Sequence, residues 1–92
     1  MLTADLKLRK CKDLRHLPLV EITWRDAAVG GGWGSLAYYR ANNGTSQVST
    51  VGYLTKNSKF EIQVVQSISI DGNVADSMSI PKAWICRTRR LR

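Results

Sequence analysis

The chain has 92 residues, 43% of them hydrophobic, and a formal net charge of +7. That is enough for one small domain and too apolar for intrinsic disorder. No apolar run approaches the ~20 residues of a membrane-spanning helix. The basic amino terminus also lacks the apolar core of a secretion signal. Two cysteines, Cys11 and Cys86, form no metal-type pair. A single disulfide is open to them, but two reduced thiols in a cytoplasmic protein are the expectation adopted.

Residues 1–17 read as a basic arm or a short helix, and 18–92 as a β-domain, the whole making a single domain. Thr3-Ala4-Asp5 has the composition of a helix cap, and a turn or two of helix is expected over Lys10–His16. Leu6-Lys7-Leu8 alternates like a strand instead. Pro18 ends whatever precedes it, because the residue before proline is pushed out of helical space. Leu19–Asp26 is a strand, with Val20, Ile22 and Trp24 on one side and Glu21, Thr23 and Arg25 on the other. Ala27–Ser46 is the longest irregular stretch. It carries Gly30-Gly31-Gly32-Trp33-Gly34 and Asn42-Asn43-Gly44-Thr45, with a short strand expected at Leu36–Arg40.

Four more strands are expected at Val48–Thr55, Phe60–Ile70, Val74–Ile80 and Trp84–Leu91. Links this short join only antiparallel neighbours, since a parallel crossover needs a dozen or more residues. Lys56-Asn57-Ser58-Lys59 is a hairpin loop, and Asp71-Gly72-Asn73 is a tight turn. Phe60, Ile62, Val64, Ile68 and Ile70 form an inner face, which Val74, Met78 and Ile80 continue. Val65 breaks the alternation, which predicts a central or bent strand covered on both sides. The fold class is all-β with minor α: a small antiparallel barrel of about five strands. Strand edges in so small a domain favour a homo-oligomer.

Charge is concentrated at the two ends. Residues 1–16 and 82–92 hold ten of the fourteen basic groups and two acids, whereas 17–81 has four basic residues against five acidic. Such a distribution suits phosphate-bearing partners. Its plainer role is to keep a β-rich chain soluble and its edges guarded.

No catalytic constellation stands out. His16 is the only histidine, so a zinc-type histidine pair is excluded and hydrolase chemistry would depend on that one residue. Asp26, Asp71 and Asp76 have no spacing suggestive of magnesium or acid–base work, and Asp71 sits where turns favour aspartate. The glycine cluster lacks the Gly-Lys-Ser/Thr ending and following helix of a phosphate loop. Neither catalytic residues, metal nor cofactor are expected. The candidate ligand-binding residues are Trp33, Tyr38, Tyr39, Arg40, Lys82, Arg87 and Arg89. The aromatic faces beside Arg40 suit stacking on a base, at on the order of 1–3 kcal/mol per base, or anchoring a protein interface. Arg87 and Arg89, two residues apart, present adjacent guanidinium forks for phosphate.

One strand, a long loop, meander strands, a turn opening Ile80-Pro81-Lys82-Ala83 and a closing strand resemble the plan of SH3-like barrels. The order is also similar to the Sm-like variant, with its short leading helix and long bent central strand. Trp24-x-Asp26-Ala27, Gly32-Trp33, Ser49-Thr50-Val51-Gly52-Tyr53-Leu54 and Ile80-Pro81-Lys82 further resemble small proteins of tailed bacteriophages. That likeness implies a non-enzymatic module in the host cytoplasm that binds an anionic nucleotide, as a counter-defence sponge for a host cyclic nucleotide. An RNA- or DNA-binding Sm-like barrel and an inhibitor of a host protein are the alternatives it leaves open.

Overall fold

The computed structural model describes residues 17–42 and 44–92. The helix expected over Lys10–His16, and Cys11 with it, lies outside them. In chain order the elements are β1 (Leu19–Asp26), α1 (Leu36–Asn42), β2 (Ser46–Asn57), β3 (Glu61–Ile68), β4 (Val74–Pro81), a 3-10 turn (Lys82–Trp84) and β5 (Ile85–Arg90). The five strands form one antiparallel sheet in the order β4-β3-β2-β1-β5. The fold is therefore all-β, a small five-stranded antiparallel sheet with one short helix between β1 and β2 and a 3-10 turn between β4 and β5.

β2 is the strand that bends the sheet. Its first part, Ser46 to Tyr53, pairs with β1, and its second, Tyr53 to Asn57, pairs with β3. Gly52 sits at the handover, buried. A Cβ there would lie 2.9 Å from Val64 Cβ and 3.0 Å from the Val65 carbonyl oxygen. Only glycine lets the strand descend this close to β3. A register shift between Leu54 and Lys56 follows at once, and Thr55 Oγ1 donates across it to the Gln63 carbonyl at 3.1 Å.

Because of this bend, strands that are not neighbours meet over one core. Val20, Ile22 and Trp24 of β1 pack with Ile62 and Val64 of β3 and Ile80 of β4. Trp24 Nε1 donates to Thr50 Oγ1 at 3.0 Å, and Thr50 Oγ1 reaches Met78 Sδ on β4 at 3.8 Å. Trp84, in the 3-10 turn, stacks on Trp24 with ring centroids 6.4 Å apart and planes 13° from parallel. Val64 and Val65 are both buried. The broken alternation at Val65 is thus a stretch covered from both sides.

Four expectations need correction. Leu36–Arg40 is helix, because Ser35 caps it: Ser35 Oγ accepts from the Tyr38 N–H at 3.1 Å, and the Ser35 carbonyl accepts from the Tyr39 N–H. The long bent strand is β2, not the Phe60–Ile70 segment. Phe60 and Ile70 fall in the turns flanking β3 and are exposed. Val74 and Met78 face inward but stay exposed, because among the described residues β4 is an edge strand paired with β3 alone.

Gly52→Ala is expected to destabilise the domain by about 1–3 kcal/mol, the cost of overpacking against Val64. Urea unfolding followed by tryptophan fluorescence measures it, with the midpoint falling and the slope unchanged.

Candidate functional site

Alternation along β5 separates its basic side chains onto two faces. β1 and β5 pair Thr23 with Arg87 and Glu21 with Arg89, while Ile22 faces Thr88 and Val20 faces Arg90. Arg87 and Arg89 therefore stand on the outer face of the sheet. Arg90 and Thr88 stand on the side of the core. The register on β2 extends the outer face through Ser49, opposite Thr23, and Gln47, opposite Arg25. Arg25 is exposed, so Arg25, Arg87 and Arg89 share one surface with the hydroxyls of Thr23 and Ser49.

One carboxylate interrupts this surface. Glu21 Oε1 lies 3.2 Å from Arg89 Nη2, both side chains being partly exposed. An exposed pair of this kind contributes about 0–1 kcal/mol to stability. It orients the Arg89 fork and leaves Arg87 as a cation with no recorded ion pair among the described residues. At the far end of the face Arg92 lies over the Tyr53 ring, 5.5 Å from its centroid. That arrangement holds an aromatic and a guanidinium together beside the arginine pair.

The remaining candidates lie elsewhere. Lys82 opens the 3-10 turn and lines a cavity on the core side with Ile62, Ile85 and Thr88. Trp33, Tyr38, Tyr39 and Arg40 belong to the excursion between β1 and β2. Trp33 is fully exposed, and α1 buries none of its residues. Tyr38 and Tyr39 meet edge to face at 6.1 Å. The Tyr39 hydroxyl donates to the carbonyls of Gly31 and Gly32, folding the glycine segment back against its own helix. No hydrogen bond, ion pair or ring contact among the described residues joins this group to Arg87 or Arg89.

Arg25, Tyr53 and Arg92 escaped the sequence-based site, although the alternation of Leu19–Asp26 already put Arg25 on the outward side. What was missing was the β1–β5 register that sets it near Arg87. Cys86 is a free, exposed thiol on β5. Among the described residues no three His, Cys, Asp or Glu side chains gather as metal ligands, and no helix is long and apolar enough to cross a membrane. Compared with known proteins, the chain matches no family model, no curated protein and no solved structure.

Tyr39→Phe removes the hydroxyl that holds the glycine segment. Hydrogen exchange at Gly31 to Gly34 should quicken by at least several-fold. Global stability should stay within about 0.5 kcal/mol, because the helix buries nothing.

Proposed function

We propose that this chain is a non-enzymatic binding module for an anionic, nucleotide-type ligand, docked on the outer face of β1 and β5. The observation that carries the reading is the pairing that gathers Arg25, Arg87 and Arg89 on one exposed face with a single carboxylate, Glu21. Guanidinium forks two residues apart on a strand are separated by about 7 Å along it, and each suits a bidentate phosphate contact. Tyr53 under Arg92 supplies a ring at the end of the row. Thr23 and Ser49 add neutral donors between the charges. The basic residues before position 17 would add to the attraction through their charge alone.

The likeness to small tailed-phage proteins supports a specific form: a sponge in the host cytoplasm that sequesters a cyclic nucleotide signal, assembled through the β4 and β5 edges. A protein-interaction module is the second reading, and the exposed Trp33 and Tyr38 on a helix that buries nothing favour it.

Salt separates the two. Fluorescence anisotropy of a labelled oligouridylate and of a cyclic dinucleotide, titrated at rising salt, should show affinity falling steeply for the oligonucleotide. Arg87→Ala with Arg89→Ala should weaken binding and lower the log–log salt slope by roughly one unit per arginine removed. Glu21→Gln, which releases Arg89, should tighten binding. Failure of either ligand to bind, or a slope unmoved by the double variant, would leave the protein-interaction reading in place.

A further inference from the structure

The inner side of β5 carries a second feature that the outer face does not use. A cavity of about 220 Å³ opens between β5 and the β2–β3 hairpin. A second, of about 290 Å³, adjoins it and shares Asn57, Ile62 and Thr88 as walls. The floor is apolar: Val20 and Ile22 from β1, Leu54 from β2 and Ile62 from β3. Arg90, opposite Val20, stands at one end of the groove, and Lys82, at the foot of the 3-10 turn, stands at the other. Arg89 contributes to the wall, but its guanidinium is held by Glu21 on the other side of the sheet. Among the described residues, no acidic side chain lines either cavity.

We infer that this groove binds a small amphiphilic carboxylate, its hydrocarbon body on the apolar floor and its anionic head at Arg90 or Lys82. Charge decides the occupant. An apolar floor alone would take any hydrocarbon, but a rim of two cations and no acid selects against amines and favours a monoanion over a neutral analogue. A nucleotide suits the groove poorly, because its polyanionic, heavily hydrated body would have to lie on Val20, Ile22 and Leu54. Asn57 and Thr88 are the polar walls common to both cavities. The volume fits a short chain or a single substituted ring, and burial of each methylene contributes about 0.8 kcal/mol before losses.

Octanoate, 1-octanol and octylamine are the probes, titrated by calorimetry below their aggregation limits and monitored in parallel by Trp24 and Trp84 fluorescence. Octanoate should bind saturably with one equivalent, 1-octanol roughly tenfold more weakly and octylamine not measurably. Lys82→Gln with Arg90→Gln should weaken octanoate by at least roughly tenfold and leave 1-octanol unchanged. Both positions are exposed, so folding is not at stake. Leu54→Trp, which fills the groove, should abolish binding of all three. Equal affinity for octanoate and octylamine, insensitivity to the Lys82 and Arg90 changes, or no saturable binding would overturn the proposal. Loss of octanoate binding in an Arg87→Ala variant would also count against it, since that side chain stands on the outer face and lines neither cavity.

Discussion

The handover of β2 at Gly52 is the constraint on which the rest depends. A strand that pairs with β1 in one half and β3 in the other must turn between them, and the turn brings its backbone against Val64. Without a side chain at that point, the two halves of the sheet close over Ile22, Val64 and Ile80, all almost wholly buried. With one, Val64 or the β3 backbone would have to give way, straining the packing of β1 against β3 and β4. A domain of this size has little spare burial to offset such a loss.

The same curvature gives β5 two different surroundings. On its outer side the strand is a flat, basic row that solvent reaches freely. On its inner side it borders an incomplete core, where Thr88 and Arg90 stand above Ile22 and Val20. Among the described residues, β5 and β4 are the two edges of the sheet, each paired on one side. Charge guards β5, as arginine-rich edge strands commonly are. β4 has a different guard: Asp76 adopts a φ of 60° in mid-strand, which interrupts the extended edge and disfavours a long uninterrupted pairing there. Any second copy added at this edge has to accommodate that residue.

Much of the sheet was legible because short links between alternating segments permit few topologies. The strands around Ile22, Val64 and Ile80 and a short turn after Ile80 followed from local pattern, whereas the 3-10 form of that turn did not. Leu36–Arg40 was misread although Ser35 offers a cap, since two tyrosines in a glycine-rich setting suggest extended chain more than helix. Phe60 and Ile70 continued an alternation that the turns had already broken. The site was harder to read. Pattern put Arg87 and Arg89 on one face and Arg90 on the other, but only the register with β1 shows that Glu21 holds Arg89 and that Arg25 neighbours Arg87. Nor does a linear reading show that Lys82 and Arg90 flank one groove, because that depends on how far the hairpin at Asn57 curls toward Thr88.

The central claim is that β5 offers two chemically distinct anion sites, one on each face. NMR correlation spectra of the arginine Nε–Hε groups test it most directly, recorded with an oligonucleotide and then with octanoate. The account predicts that the oligonucleotide shifts Arg87 and leaves Arg90 in place, while octanoate shifts Arg90 and leaves Arg87 in place; Arg89 borders both sites and does not discriminate. Shifts of all three arginines by both ligands, or of none by either, would contradict it.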